Sequence, residues 1–171
     1  ADRIAILDNG RIQQFDTPFE LYQHPVNLFV ANFMGNPPMN FIDARLVKGE
    51  GGLCFLVDGQ TVPVPPARAK ALAGSLDREV KIGVRSHQMR PVEAHAAGAI
   101  RLKVQMVENL GKELLVQAQV GKNLIRISEE DTTKYAFYRG LADVKGEMGI
   151  LLTDQINVFD SETKANVLME Q

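Results

Sequence analysis

The chain contains no tryptophan and only one cysteine, Cys54, in 171 residues. A lone cysteine excludes an intrachain disulfide and fits a reducing compartment. No apolar run approaches the roughly 18 residues that would span a bilayer as a helix. Neither sign of charge dominates. Nineteen Lys and Arg stand against 21 Asp and Glu, for a formal net charge of -2. The cations are scattered, whereas nucleic-acid binding draws its affinity from a concentrated cationic face. No G-x-x-x-x-G-K-[ST] loop is present to cradle nucleotide phosphates. The three histidines, His24, His87 and His95, lie far apart and lack metal-ligand spacing with Cys54. No nucleophile, base and orienting group can be assembled, so composition and motif alone point away from catalysis. A content of 45% hydrophobic and 23% charged residues is an ordinary globular balance, enough for one domain with a core plus an attachment. The expectation is a soluble, cytoplasmic protein. Because it begins at Ala1 rather than Met, it is also expected to be a piece of something longer.

The stretch Gly35-Asn36-Pro37-Pro38-Met39-Asn40-Phe41 divides the chain. Before it, Arg3–Asp8 and Arg11–Asp16 flank Asn9-Gly10, the strongest short hairpin signal, because a type I′ turn needs positive φ at both central residues. Thr17-Pro18-Phe19-Glu20 predicts a helix start with a capping box. His24-Pro25 ends that helix. A second helix carries Leu28, Phe29, Val30, Ala31, Phe33 and Met34, with Gly35 placed for its C-terminal cap and Pro37-Pro38 forbidding continuation. A lone hairpin is marginal in water and a helix apolar all round needs burial, so this unit wants a partner it does not bring with it.

From Met39 onward the hydrophobic period becomes two. Strands are predicted over Phe41–Val47, Leu53–Val57, Thr61–Val64, Glu79–Arg85, Ile100–Val107, Leu114–Val120, Leu124–Ile127, Gly149–Leu152 and Ile156–Phe159, with a short helix over Ala67–Ala73. Asp58-Gly59 predicts a second tight hairpin, whose outer strand tolerates Pro63 at an edge. Residues 129–143 read as polar and irregular, with at most a helical turn. The aromatics Phe15, Phe29, Phe33, Phe41, Phe55 and Phe159 fall in periodic apolar runs, which favours core packing. The fold class is therefore mainly β: a small barrel or sandwich over residues 36–171, preceded by a β-hairpin and two short helices over residues 1–35.

Residues 1–41 closely resemble the segment that follows the switch histidine in ATP-binding subunits of maltose-type ABC importers. The likeness runs through Ala1-Asp2-Arg3-Ile4, Thr17-Pro18-Phe19-Glu20-Leu21-Tyr22 and Phe29-Val30-Ala31-Asn32-Phe33-Met34. It continues into the junction Gly35, Asn36, Pro37, Pro38, Met39, Asn40 and Phe41. Relatives that import glycerol 3-phosphate share that junction. The remainder resembles the family's transport-associated domain, an OB-like barrel. Gly83-Val84-Arg85, Val107-Glu108-Asn109-Leu110-Gly111 and Asn157-Val158-Phe159-Asp160 fit its recurring elements. Phe15-Asp16 before Thr17, and Ser86-His87-Gln88-Met89 after Arg85, depart from the family pattern.

The resemblance implies that residues 1–35 finish a nucleotide-binding domain and residues 36–171 form a regulatory barrel. Two subunits would be held together through their barrels, which would also present a surface to a regulatory protein, while transmembrane permease subunits complete an importer on the inner face of the membrane. Arg85, His87, Leu110, Gly111 and Phe159 are the candidate contributors to a two-fold barrel interface. A rival reading is an oxyanion-binding barrel for molybdate or sulfate, with Asn109-Leu110-Gly111-Lys112 lining the pocket. A nucleic-acid barrel is the third reading, disfavoured by the acidic balance. The family parts that handle ATP and Mg lie upstream in the parent subunit, so no cofactor is expected on this chain. Titration with ATP should accordingly show no saturable micromolar binding, and a saturable isotherm would overturn that expectation.

Overall fold

The computed structural model describes residues 2–170. The Asn9-Gly10 turn forms as expected, with φ of 51° and 76°, joining β1 (Ile4–Asp8) to β2 (Arg11–Asp16). Thr17 Oγ1 accepts from the Glu20 amide at 3.2 Å and starts α1 (Pro18–Gln23). The reciprocal half of the expected capping box does not form. The Thr17 N–H donates to Asp16 Oδ1 instead, and the Glu20 carboxylate meets His24 Nδ1 at 2.7 Å. Asn27 caps α2 (Leu28–Phe33), and Gly35 follows its end at φ 98°. The Asn36–Pro37 bond is cis.

The rest is β3 (Asn40–Gly49), β4 (Gly52–Val57), β5 (Gln60–Pro63), α3 (Pro66–Leu72), β6 (Glu79–Val84), β7 (Met89–Val92), β8 (Ile100–Asn109), β9 (Leu114–Val120), β10 (Asn123–Glu129), α4 (Tyr135–Val144), β11 (Glu147–Leu152) and β12 (Asn157–Asp160). Two five-stranded antiparallel sheets form, in the orders β12-β6-β3-β4-β5 and β10-β9-β8-β11-β7. Alternation along β3, β8 and β9 sends Ile42, Leu46, Leu102, Val104, Val116 and Ala118 inward. Both sheets thereby share one core with Ile82, Ile125 and Ile150. Pro63 lies on an edge strand, where its missing N–H leaves no gap in a ladder.

Two elements differ from the sequence reading. Residues 135–144 form a regular helix rather than an irregular stretch. Its apolar stripe Tyr135, Tyr138, Leu141 and Ala142 faces the core at helical spacing, masked in sequence by the exposed polar positions between. Strand β7 was not expected because Pro91 interrupts its pattern. It is an edge strand bonded only to β11, where proline is tolerated.

Asparagine side chains close the gap between the sheets. Asn40 on β3 donates to the Val84 and Arg126 carbonyls at 3.0 and 2.9 Å and accepts from the Arg126 amide at 2.9 Å. Asn123 on β10 accepts from the Asp43 amide at 2.9 Å and donates to the Asp43 carboxylate at 3.1 Å. An amide side chain carries a donor and an acceptor and so imitates a backbone pair where two strands diverge. The result is an OB-like domain with the hairpin and α1–α2 carried on its flank. No helix among the described residues is long and apolar enough to cross a membrane.

Candidate functional site

The feature that organises residues 2–39 against the barrel is Arg85, just past β6. Its side chain is 2% exposed. Nη2 donates to the Tyr22 carbonyl at 2.9 Å and Nη1 to the Met34 carbonyl at 2.7 Å. These two oxygens close the C-terminal ends of α1 and α2. Helix ends leave carbonyls without intrahelical partners and carry partial negative charge, which a cation stabilises. The guanidinium also stacks over the Tyr22 ring, 3.8 Å from its centroid. It makes no ion pair among the described residues. Burial holds its pKa below the ordinary arginine value, with Tyr22 acting in the opposite direction. Nε is buried without a partner. Gln88 anchors the backbone at the same point, its Oε1 accepting from the Arg85 amide at 2.9 Å.

Glycine is required at two positions around this contact. At Gly35, a Cβ would sit 2.7 Å from Arg85 Nη1, on a residue whose φ of 98° already favours glycine. At Gly83, a Cβ would lie 2.6 Å from both Met39 Sδ and Phe159 Cε2. Met39 and Phe159 belong with Ala31 to an apolar cluster, flanked by Leu28 and Phe41, that bridges tail and barrel. Phe41 meets Phe159 edge-on at 5.9 Å. The tail keeps a second small core of Ile6, Leu21 and Val30 between hairpin and helices.

A polar seam runs beside the apolar one. Asn157 donates to the Gln23 carbonyl at 3.0 Å; Asn166 donates to the Pro25 carbonyl at 2.8 Å and to Asn157 Oδ1 at 3.0 Å. The backbone adds Leu28 N–H to the Lys164 carbonyl at 3.0 Å and Asn166 N–H to the Val26 carbonyl at 2.9 Å. Asp160 shapes the turn that supplies these groups. Its carboxylate accepts from the Thr163 and Glu162 amides at 2.7 and 2.8 Å and from Arg78 Nε at 2.6 Å. Chiefly through the Thr163 amide, these contacts hold its pKa at about 2.

The five expected interface residues do not form one surface. Arg85 and Phe159 are buried inside the chain, because they bind the tail, and so present nothing to a second copy. Their burial puts both in the joint between tail and barrel. His87 is exposed and stacks on Tyr22 with ring centroids 6.3 Å apart. Leu110 and Gly111 form the exposed tip of the β8–β9 hairpin, where Asn109 Oδ1 accepts from the Gly111 amide. Of the junction residues, Met39 and Asn40 are buried and Phe41 partly so, while Gly35 and Pro38 are exposed. Core packing holds for Phe55 and Phe159. Phe15 and Phe33 instead stand 57% and 66% exposed, because the outer faces of the hairpin and of α2 have nothing against them. Sequence reasoning missed Tyr22, Asn157 and Asn166, whose roles depend on partners far away in the chain. A buried-capable Arg directly after a strand was the one available signal.

Two antiparallel sheets around one core, bearing a docked hairpin-and-helix unit, define an OB-type β domain with an N-terminal appendage. Residues 35–89 match the family described as the MalK OB fold domain. The chain is 39% identical over 122 residues to the sn-glycerol-3-phosphate import ATP-binding protein UgpC of Jannaschia sp. (strain CCS1), covering 70% of this chain and 31% of that protein. It is 38% identical over 128 residues to the trehalose/maltose import ATP-binding protein MalK of Thermococcus litoralis, covering 70% and 33%. A solved structure of the cytoplasmic molybdate-binding protein ModG superposes with a TM-score of 0.51 at 12% identity, over 70% of this chain and 94% of that one; that likeness concerns the fold alone. The chain is thus similar to the C-terminal part of importer ATP-binding subunits that carry this OB domain, and it spans less than half the length of those relatives, 31% to 45% of them.

Arg85→Ala removes both carbonyl partners and the stack on Tyr22. It should cost about 2–4 kcal/mol and expose α1 and α2 to limited proteolysis while the barrel persists. Arg85→Lys, which has no planar fork to span two carbonyls, should restore only part. Unchanged melting and unchanged cleavage in Arg85→Ala would contradict the role given to this residue.

Proposed function

We propose that the chain is the regulatory and dimerisation region of the ATP-binding subunit of a sugar-type ABC importer. It acts in the cytoplasm, at the inner face of the membrane, alongside permease subunits. The observation that carries this reading is the joint between tail and barrel. The MalK-type match begins at Gly35, the residue that lets the tail close onto Arg85.

The tail has two apolar sides. Ile4 and Ile6 pack inward on the helices, while the opposite face of the hairpin pairs Ala5 with Phe15 and Leu7 with Ile12, all four exposed. A hairpin apolar on both faces is a middle layer, and its outer side is suited to the remainder of an ATPase domain. The barrel then reports through Arg85 on how that domain is held. A second barrel would associate about a two-fold axis, through exposed positions such as Leu110, Gly111 and His87, with at least about 1,000 Å² buried in total. The same exposed ends offer a regulator its surface. On this reading the chain itself neither binds nor hydrolyses ATP.

Sedimentation of the chain at high micromolar concentration should reveal dimers, weakened by Leu110→Glu at the barrel tip and retained in Ile12→Glu on the hairpin. Monomer alone, or loss of dimer only in Ile12→Glu, would refute barrel-mediated association.

A further inference from the structure

We propose that a polar cleft on the outer face of the second sheet binds a small phosphate-bearing anion. This inference does not rest on the transporter reading. The cleft, about 480 Å³, opens where three elements meet. These are the Asp58-Gly59 turn between β4 and β5, the β8–β9 face carrying Arg101, Lys103 and Gln119, and Lys145 at the left-handed end of α4, φ 50°.

Hydrogen bonds fix its walls. Gln60 accepts from the Arg101 amide at 2.8 Å and donates to the Arg101 carbonyl at 3.1 Å, tying the β4–β5 hairpin to β8. Gln105 donates to Gln119 Oε1 at 3.2 Å, and Gln119 donates to the Gly121 carbonyl at 2.9 Å. The register of β8 against β9 shifts between Val104 and Met106, a bulge that re-aims side chains at this point.

The charge in the cleft is unbalanced. Arg101, Lys103 and Lys145 face Asp58 and Glu147, and none of the three cations is ion-paired among the described residues. Glu147 stands directly across from Lys103 in the β11–β8 register, which leaves Arg101 and Lys145 with only Asp58 between them. Cations gathered without partners repel one another, and an oxyanion that bridges them gains charge-assisted hydrogen bonds. The lining is polar, which disfavours an apolar ligand. The volume admits inorganic phosphate or a small phosphate monoester, from whose hydroxyls Asp58 and Glu147 can accept hydrogen bonds.

The test is titration of inorganic phosphate into the ¹⁵N-labelled chain at constant ionic strength, with chloride as the reference salt. Saturable shifts should centre on Lys103, Gln119 and Gly121. The double variant Lys103→Gln/Lys145→Asn should weaken binding at least about tenfold without changing the melting temperature; asparagine is chosen because it tolerates the left-handed conformation. Unsaturable shifts spread over many surface cations, equal affinity in the variant, or equal perturbation of the same amides by neutral glucose would each overturn the proposal.

Discussion

One guanidinium holds the two parts of this chain together. Arg85 leaves the end of β6 and bonds to one carbonyl at the C-terminal end of each of α1 and α2. A buried cation without a carboxylate would ordinarily be costly. Here the negative pole is supplied by backbone, since two helix ends with unsatisfied oxygens converge on one planar donor fork. The arrangement dictates its neighbours. Gly35 leaves room for Nη1, Tyr22 gives the guanidinium a π face, and Gly83 lets Phe159 and Met39 pack under the junction.

Around that centre, the attachment is made of amide side chains as much as of apolar surface. Asn157 and Asn166 reach carbonyls at the end of α1 and beyond it, and the Asp160 turn holds Asn166 in register for them. Asn40 and Asn123 do the same between the sheets. In each case a side-chain amide bonds a backbone group of a segment remote in sequence. The outcome is a tail bonded to the barrel at several points rather than a helix pair on a tether.

Much of this was legible in the sequence, for reasons that are local. The Asn9-Gly10 and Asp58-Gly59 turns, the Thr17 cap, the stop at Gly35 and the period-two strands each follow from the chemistry of neighbouring residues. Family resemblance carried the identification through the junction. What could not be read was long-range. Nothing near Arg85 in sequence reveals that Tyr22 and Met34 present carbonyls to it, so the sequence offers it only as an interface candidate. Periodicity predicts the burial of Phe159 but not the tail residues it packs against, and it points Phe15 and Phe33 to a core that residues 2–170 do not supply. The helix at 135–144 was obscured because only one residue in it, Tyr138, is fully buried.

The central claim is that tail and barrel form a single cooperative unit fastened at Arg85. Native-state hydrogen exchange over a denaturant series tests it most directly. The account predicts that the amides of Leu21, Ala31 and Met34 open together with those of Ile82 and Val104, at matching free energies and with matching denaturant dependence. Helix amides exchanging about 100-fold faster, and independently of denaturant, while the barrel amides stay protected, would contradict it.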